Sequence, residues 1–539
     1  MDTDLSSIQE ARTLVTRARD AFSSWHAFDQ DAVDHVVREM ARAGEKAAAD
    51  LARMAHEETG FGRVDSKTEK NLFATRTLLG QIEGMRTCGI IDRSGPVWEV
   101  ASPMGVVAAL IPSTNPTSTA LYKAIIAAKA RCAIVMSPHP RSARSTAEAL
   151  RVVAQAAYRA GAPEGLFGCL TEISLEGTNA LLEHPDTDLI IATGGNAMVR
   201  AAYSKGKPAY GVGSGNVPVY VDRSADVEKA ARDLVYGASF DWGTLCSTER
   251  SVIADMPIAA GLKTAMRSAG ACFLNERETD ALRSLVASGG RLNVAQVGQS
   301  PQRIAELAGF EVPASARVLV AEVEDIGPVE PLSMETLSPI LSWYRADGWK
   351  EGCHACKRIL AYGGMGHTLG LHAQKESVIV AFAEEKPAMR IVVNTVAALG
   401  SVGHTTSLFP AMTLGPGTFG GSITSDNISP LHLVQIKRVA FETHPIHEGA
   451  AAPQGSSPRA GQKSRRTPTG TSPWMEEIEA RLRERAGSRP ARAVAPQAAA
   501  SPPPPQVAPA REVSPTAATS AVPLDEATIE RLIATFSKT

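Results

Sequence analysis

Positive and negative charges almost cancel in this sequence. Its 55 lysines and arginines stand against 57 aspartates and glutamates, which gives a formal net charge of −2. Proteins whose main task is to bind nucleic acid carry an excess of cations that neutralise phosphates. The charge balance therefore argues against a nucleic-acid partner.

Long apolar runs and a leader sequence are also missing. No apolar run reaches the roughly 18 residues of a membrane-spanning helix, and Met1 to Asp4 lack the basic flank and apolar core of a signal peptide. The seven cysteines are scattered, and an odd number in a long chain fits reduced thiols better than a disulfide framework. We expect a soluble, cytoplasmic protein without a membrane partner.

The length of 539 residues exceeds what one hydrophobic core usually holds, so at least two domains are expected. Residues 1–85 predict helices, because apolar positions recur at helical spacing from Ile8 to Ala18 and residues 31–58 are rich in alanine, arginine and glutamate. We interpret this part of the chain as a solvated helical layer.

Strands, loops and helices then alternate. Near-continuous apolar runs predict buried parallel strands, and each run is followed by a turn-rich loop and a helical stretch. The strands are predicted at residues 105–111, 133–136 and 188–192, with loops at residues 112–117, 137–141 and 193–196. This alternation is typical of a doubly wound α/β sheet, whose ligands bind beyond the carboxyl ends of the strands. The three loops should therefore share one rim.

The third loop contains a glycine pair. Gly194 and Gly195 precede a helical stretch, where backbone N–H groups would face a phosphate, although two glycines alone do not specify such a site. A GxGxxG motif is missing, since residues 211–216 have a different glycine spacing and precede a predicted strand at residues 217–221 instead of a helix.

One cysteine stands out by its surroundings. Cys246 lies in a turn-rich stretch, residues 239–250, between a predicted helix at 226–238 and a predicted strand at 251–254. Loops on a rigid scaffold often carry nucleophiles, and a thiol needs only a lowered pKa to become a strong one. A buried structural thiol is the commoner role of cysteine. Spacing alone leaves both interpretations open.

Eight motifs, taken together and in order, decide between them. They are Ile-Pro-Ser-Thr-Asn-Pro-Thr-Ser-Thr at 111–119, Ser-Pro-His-Pro-Arg at 137–141, Thr-Gly-Gly at 193–195, Gly-Val-Gly-Ser-Gly-Asn at 211–216, the Cys246 loop, Glu-Thr-Leu-Ser-Pro at 335–339, Gly-Gly-Met-Gly-His-Thr at 363–368 and Leu-Gly-Pro-Gly-Thr-Phe-Gly-Gly at 414–421. Over residues 5–445 the chain resembles the CoA-acylating aldehyde dehydrogenases, both the bacterial microcompartment enzymes and the aldehyde domain of the bifunctional aldehyde/alcohol dehydrogenases.

The resemblance implies an α/β fold with two doubly wound domains. We expect a cofactor-binding domain at residues 1–212, a catalytic domain at 213–408 and an oligomerisation or closing segment at 409–446. The resemblance also implies a homo-oligomer, with Leu414 to Asn427 in the interface region.

The resemblance further implies which residues react. Cys246 would be the nucleophile, and the Asn115 amide and the Cys246 backbone N–H would form an oxyanion hole for the hemithioacetal. His367 would assist the incoming CoA thiol, with a structural histidine at a turn as the alternative. Because an ordinary thiol is mostly protonated at neutral pH, we expect the site to lower the pKa of Cys246.

Cofactor binding is implied for a second set of residues. Glu335 would hold the nicotinamide ribose, and Pro140 and Arg141 stand where hydrolytic relatives place an acidic residue against the adenosine ribose. The whole set is Thr114, Ser137, His139, Pro140, Arg141, Thr193, Gly194, Gly195, Gly213 and Glu335. NAD is favoured, and NADP stays open. No metal is expected, because Cys353 and Cys356 have CxxC spacing without a second ligand pair.

The acyl acceptor depends on a missing carboxylate. Hydrolytic members of the family use a glutamate to activate water against the thioester, whereas residues 210–216 contain none. The resemblance therefore implies that a short aliphatic aldehyde such as propanal or acetaldehyde, NAD and CoA give acyl-CoA and NADH. The alternatives are a hydrolytic aldehyde dehydrogenase and a non-catalytic shell adaptor with the same fold.

The end of the chain changes in composition. Residues 447–522 are rich in proline and alanine and predict a disordered linker, interrupted by a short helix at 472–486. Residues 523–539 predict an amphipathic helix that would order on docking into a groove. This helix resembles the encapsulation peptides of microcompartment cargo enzymes, which implies a shell protein as partner and a place inside a bacterial microcompartment.

Overall fold

The computed structural model describes residues 3–288, 291–444 and 446. The linker, the helix predicted at 472–486 and the terminal helix predicted at 523–539 lie outside the described residues. The chain begins with five helices, α1 (Thr3–Trp25), α2 (Gln30–Lys46), α3 (Ala48–Thr59), α4 (Val64–Leu72) and α5 (Leu78–Ile82), followed by strands β1 (Gly89–Asp92) and β2 (Val97–Pro103). The helices predicted for this part are confirmed.

The description of these helices as a solvated layer is wrong in part. α1 buries one stripe of alanine and valine side chains in the same core as the first sheet. α4 buries two lysines, Lys67 and Lys70, although lysine is seldom buried unless it is paired. A helix that packs on a sheet normally exposes its outer face. In α4 most of that face is covered as well, and Asp65 is its one exposed residue.

The first sheet has five parallel strands in the order β5-β4-β3-β6-β7. The strands and the helices that cover them are β3 (Val106–Ile111), α6 (Pro116–Lys129), β4 (Ala133–Pro138), α7 (Ala143–Arg159), β5 (Phe167–Cys169), α8 (Leu175–Glu183), β6 (Leu189–Thr193), α9 (Asn196–Tyr203) and β7 (Ala209–Val212). The order reverses between β3 and β6, which places a crevice beyond their carboxyl ends. The α/β alternation predicted from the apolar runs is confirmed.

The second sheet has seven parallel strands in the order β10-β13-β14-β9-β8-β15-β16. Its part of the chain contains β8 (Val217–Val221), α10 (Val227–Ser239), β9 (Glu249–Asp255), α11 (Met256–Ser268), β10 (Ala271–Phe273), α12 (Glu276–Val286), β11 (Ala287–Ser288), β12 (Arg291–Leu292), α13 (Pro301–Ala308), β13 (Val318–Glu322), β14 (Ile340–Ala346), α14 (Trp349–Tyr362), β15 (Gly366–His372), α15 (Glu376–Glu385), β16 (Ala388–Val393) and α16 (Ala397–Gly400). β11 and β12 form a separate antiparallel pair.

A last strand, β17 (Val434–Ala440), returns to the beginning of the chain and pairs antiparallel with β2, which also pairs with β1. The loop that carries Cys246 lies between α10 and β9, and β9 is the central strand of the second sheet. Cys353 and Cys356 are buried in α14. Among the described residues, no helix combines the length and the apolar character that a membrane span requires.

Candidate active site

A cavity joins the rim of the first sheet to the Cys246 loop. Its lining comes from the loops after β3 and β6, from the glycine-rich segment after β7, from the Cys246 loop and from Glu335. Nine of the predicted site residues line it: Thr114, Asn115, His139, Thr193, Gly194, Gly195, Gly213, Cys246 and Glu335. Loops of the first sheet, which were predicted to share one rim, thus meet the Cys246 loop of the second sheet at this cavity.

Cys246 is held in place through its backbone. A β-carbon on Gly215 would lie 2.0 Å from the carbonyl oxygen of Cys246, so the two backbone segments touch. From the other side, the buried guanidinium of Arg250 donates to the carbonyl oxygens of Ser338, at 2.7 Å, and of Gly243. The loop therefore has little freedom to move.

The electrostatic surroundings of the thiol differ from the prediction. Burial and, after it, the nearby Glu335 carboxylate together raise the pKa of Cys246 to about 12, although Arg390 and Arg250 act to lower it. The expectation that the protein lowers this pKa is therefore wrong for its own groups. The residues around Cys246 in the sequence form its turn, whereas the Glu335 carboxylate is distant in the chain and comes next to the thiol only through folding.

Asn115 presents its amide nitrogen to the Cys246 loop. Its Nδ2 donates to the carbonyl oxygen of Thr244, at 3.1 Å, and to Thr114 Oγ1, at 3.1 Å. Its Oδ1 accepts a hydrogen bond from the ammonium group of Lys70. Because an ammonium group can only donate, this bond fixes which end of the amide faces the loop.

Lys70 belongs to a buried charge cluster that the sequence analysis missed. The ammonium groups of Lys70 and Lys67 both pair with Asp241 Oδ2, Lys67 at 3.1 Å. Lys67 also donates to the carbonyl oxygen of Thr114, at 3.2 Å. Lys67 and Lys70 stand three residues apart on α4, a spacing that occurs on any exposed helix face, so the sequence carries no clear signal for this cluster.

Glu335 lies against the glycine-rich segment. Its Oε1 accepts a hydrogen bond from the backbone N–H of Gly215, at 3.1 Å. Burial raises its pKa to about 7, although the charge of Arg250 and two hydrogen bonds oppose that rise. The carboxyl group faces the cavity and changes its charge near neutral pH.

His367 lies in a neighbouring cavity and not in the one that Cys246 lines. Its Nδ1 is 3.0 Å from Thr368 Oγ1, and its buried Nε2 has no hydrogen-bond partner among the described residues. Burial, helped by the charge of Arg390, lowers its pKa to about 3 and keeps the ring neutral. Gly213 and Ser214 line both cavities and form the wall between them.

The other predicted cofactor residues lie at the end of β4 and in the segment that follows it. Ser137 Oγ is 2.8 Å from Thr178 Oγ1, and His139 Nδ1 accepts a hydrogen bond from the backbone N–H of Arg141, at 3.1 Å. The Arg141 guanidinium lies over the ring of Phe61, 5.9 Å from its centre. Ser137, Pro140 and Arg141 do not line the cavity, although His139 does.

An apolar pocket opens beside the thiol. Leu245, Val402 and Met412 line both this pocket and the main cavity. Its remaining walls are formed by Glu69, Lys70, Phe73, Phe240, Leu399 and His404. At its outer end His404 Nε2 is 3.3 Å from Glu69 Oε1. No group of three or more His, Cys, Asp or Glu side chains in the described part of the chain is arranged to hold a metal ion.

Comparison with curated proteins gives long matches. The aldehyde dehydrogenase family model matches residues 2–270. The bifunctional aldehyde-alcohol dehydrogenase AdhE of Escherichia coli K12 is 38% identical over 444 residues, which cover 81% of this chain and 50% of that protein, so the chain spans about half the length of this relative. The acetylating succinate-semialdehyde dehydrogenase of Clostridium kluyveri is 33% identical over 440 residues, which cover 81% of this chain and 97% of that protein.

Two solved structures share the fold. The acetylating aldehyde dehydrogenase from Geobacillus thermoglucosidasius has 47% sequence identity and a TM-score of 0.82, and the match covers 83% of this chain and 99% of that one. A propionaldehyde dehydrogenase from the Clostridium phytofermentans fucose utilisation bacterial microcompartment has 26% identity and a TM-score of 0.73, over 80% and 97% of the two chains. The chain therefore belongs to the aldehyde dehydrogenase family, and its relatives there include acylating enzymes.

Proposed function

We propose that the protein is a CoA-acylating aldehyde dehydrogenase that oxidises a short aliphatic aldehyde with NAD and passes the acyl group from Cys246 to CoA. The observation that carries this proposal is that Cys246, Asn115 and Glu335 line one cavity while residues 210–216, which contribute Val212, Gly213 and Ser214 to its lining, contain no carboxylate. The acylating relatives support the same activity.

The loop after β6 and the glycine-rich segment after β7 fit a nicotinamide dinucleotide. A β-carbon on Gly195 would have no neighbour within 4 Å, so the space in front of it is open to a ligand. α9 begins at the next residue, and the first N–H groups of a helix lack partners within it. We assign Thr193, Gly194, Gly195 and Gly213 to the diphosphate and Glu335 to the nicotinamide ribose. The proposed cofactor-binding set is completed by Thr114, Ser137, His139, Pro140 and Arg141.

The first chemical step belongs to Cys246 and Asn115. The thiolate forms a bond to the aldehyde carbon, and the electron pair of the carbonyl π bond moves to the oxygen. That oxyanion accepts hydrogen bonds from Asn115 Nδ2 and from the backbone N–H of Cys246. NAD held by Thr193, Gly194, Gly195 and Glu335 would supply the hydride acceptor for this adduct, and its positive charge would oppose the raised pKa of Cys246. The enzyme is left as a thioester on Cys246.

The second step transfers the acyl group. The sulfur of CoA bonds to the thioester carbon, and the Cys246 thiolate leaves, so Cys246 is regenerated. Residues 210–216 offer no carboxylate to deprotonate water, and Glu335 is assigned to the nicotinamide ribose, so the thioester persists until this thiol arrives. His367 is neutral, and its free Nε2 can accept a hydrogen bond from the thiol. We assign it to orienting CoA from the neighbouring cavity.

The size of the aldehyde follows from the apolar pocket beside Cys246. Its walls are mainly aliphatic and aromatic, and Glu69 pairs with His404 at its outer end. The one lysine that lines it, Lys70, is already paired with Asp241. A short, uncharged aldehyde such as propanal or acetaldehyde suits these walls better than one with a charged tail.

We further propose an assembly. The apolar stripe of residues 523–539 supports docking on a microcompartment shell, and one structural relative comes from such a compartment. Exposed apolar side chains at Phe419 and Ile423 support a homo-oligomer through residues 414–427.

The test is NADH formation from propanal and NAD, with and without CoA, by the wild type and by Cys246→Ala. The proposal expects turnover that requires CoA and disappears in the variant. Equal steady-state rates without CoA would mean hydrolysis, and activity in Cys246→Ala would mean a different nucleophile. Removal of residues 523–539 should abolish binding to shell proteins and leave the turnover unchanged.

A further inference from the structure

A cluster of three charged side chains lies buried behind the oxyanion site. The side chains of Lys67, Lys70 and Asp241 are 2%, 4% and 0% exposed. Two ammonium groups share one carboxylate, so the cluster carries one surplus positive charge. Burying an unbalanced charge is costly, and such a cost indicates that something nearby uses the charge.

Asp241 is fixed in place by the backbone around it. Its Oδ1 accepts a hydrogen bond from the N–H of Arg63, at 2.7 Å, and its Oδ2 accepts one from Thr244 Oγ1, at 2.5 Å. A β-carbon on Gly62 would lie 2.1 Å from Oδ1, and Gly62 has a φ of +71°. Asp241 itself has a backbone φ of 47°, which residues other than glycine rarely adopt. The cluster is therefore rigidly built.

Lys70 connects this cluster to Asn115. Its ammonium group donates to both Asp241 Oδ2 and Asn115 Oδ1. A donor at Oδ1 forces the amide nitrogen to face Thr244, two residues before Cys246. Burial lowers the pKa of Lys70 to about 8, against the charges of Asp241 and Cys246, so most of the lysine stays charged at neutral pH.

Other charged groups around Lys70 do not cancel the surplus. On α4 itself, the Glu69 carboxylate is 3.3 Å from His404 Nε2 and pairs with that side chain. The neighbouring lysine, Lys67, adds a positive charge, and the facing elements contribute Asp241 and Cys246. During the reaction Cys246 and the aldehyde oxygen become negative in turn, one side chain away from Lys70.

We infer that Lys70 is a positioning residue for acyl transfer: it holds the Asn115 amide toward the oxyanion, and the surplus charge of the Lys67–Asp241–Lys70 cluster stabilises the negative charge of the Cys246 thiolate and of the hemithioacetal oxygen. This inference rests on the proposed function. It assigns a role in the reaction to a helix whose sequence predicts only a solvated surface.

Lys70→Met tests the inference. Methionine keeps much of the length of the side chain, and Lys67 can still pair with Asp241, so this variant keeps a balanced buried pair. We expect kcat for propanal to fall by about 100-fold, in line with the loss of one oxyanion donor, while the KM values for NAD and CoA stay within about twofold. The rate of alkylation of Cys246 by iodoacetamide between pH 7 and pH 9, followed on the Cys246 peptide by mass spectrometry, should fall by about tenfold, because a pKa that is higher by about one unit lowers the thiolate fraction tenfold.

Lys129→Met is the matched control. Lys129 is also a buried lysine, 1% exposed and paired with Asp34, but its partners lie on α2 and not at the cavity. We expect a lower Tm with wild-type kcat and a wild-type alkylation profile. If Lys129→Met shifts the profile as much as Lys70→Met, buried lysines act through general stability and the inference is overturned.

Two further variants separate positioning from charge. In Lys67→Met the contact between Lys70 and Asn115 remains, so the alkylation rate should fall while kcat falls less than in Lys70→Met. This variant also serves if Lys70→Met fails to fold. Asn115→Ala combined with Lys70→Met should lose less than the product of the single losses, because both changes remove the same donor. Fully multiplicative losses would contradict positioning.

Failure of the inference differs from failure of the function. Wild-type kcat and a wild-type alkylation profile in Lys70→Met, with CoA-dependent turnover in the wild type, would overturn the inference and leave the function standing. A wild type that forms no NADH from propanal would overturn the function, while the alkylation profile would still report whether Lys70 stabilises the thiolate.

Discussion

Gly215 and Cys246 touch backbone to backbone. A β-carbon placed on Gly215 would approach the carbonyl oxygen of Cys246 to 2.0 Å and would also lie 3.3 Å from His367 Nδ1. The N–H of Gly215 donates to Glu335 at the same place. One glycine therefore sets the distance between the thiol loop, a buried carboxylate and a buried histidine.

Gly215→Ala should therefore abolish most of the activity. Because the atom in conflict is a backbone oxygen, the clash can be relieved only by moving the Cys246 loop or the β7–β8 segment. A displacement of about 1 Å at a reacting atom can cost about 100-fold in rate, and we expect at least that loss in kcat for propanal, measured by NADH formation.

Gly261→Ala provides the control for this substitution. Gly261 lies in α11, and a β-carbon there would have no neighbour within 4 Å. This variant should keep wild-type kcat and gain up to about 1 kcal/mol in the free energy of unfolding, since alanine favours a helix more than glycine does. A Gly215→Ala variant that matches it in activity would show that the Cys246 loop adapts freely.

His367→Ala should slow acyl transfer without slowing acylation. The neutral ring lies on the far side of the wall formed by Gly213 and Ser214 and has a free buried Nε2. In a stopped-flow experiment with CoA, we expect an NADH burst of wild-type rate and amplitude, followed by a steady state reduced by about 10-fold to 100-fold. A burst that slows together with the steady state would instead indicate a structural role, because the first step would then depend on the histidine.

Glu249 should make the stability of the protein depend on pH. Burial raises the pKa of this carboxyl to about 8, against an ordinary value of 4.5, so the folded state holds a proton that the unfolded state releases. The stabilisation is complete below pH 4.5 and is lost as the pH rises toward 8, at about 1.4 kcal/mol for each unit of difference.

Glu249→Gln removes this dependence, because an amide does not ionise. The carboxyl Oε1 accepts a hydrogen bond from the N–H of Ala397, at 2.5 Å, and the amide oxygen of glutamine can accept the same bond. We expect the Tm of the variant to rise relative to the wild type between pH 5 and pH 9. A difference in Tm that is constant over this range would contradict the assignment.

The α/β units were predictable because each strand carries its own signal. The runs before Pro112 and Thr193 are fully apolar, the residues that follow form turns, and parallel strands buried on both faces require such runs. The three loops then had to meet at one edge of the sheet, and all three line the cavity with Cys246, the second of them through His139. Local patterns were sufficient for this part of the site.

The buried charges could not be predicted in this way. Lys70 and Asp241 are 171 residues apart in the chain, and a lysine on a helix normally points to solvent. Likewise, the raised pKa of Cys246 comes first from burial and then from Glu335, which belongs to a different part of the chain. Pairing across such distances is a property of the assembled sheets and leaves no periodic trace in the sequence.

The apolar pocket beside Cys246 makes aldehyde length a testable property. Met412 lines both this pocket and the main cavity, so Met412→Ala should lengthen the space available to the acyl chain. Each additional methylene group that fits is worth about tenfold in kcat/KM. We expect the ratio of kcat/KM for butanal, which has one more methylene group, to that for propanal to rise by about tenfold. Met198→Ala is the matched control, because Met198 lines the cavity next to Gly194 and not the pocket. It should change the KM for NAD and leave the aldehyde ratio unchanged, whereas a ratio that rises equally in both variants would place the acyl chain on the glycine-rich side of the thiol.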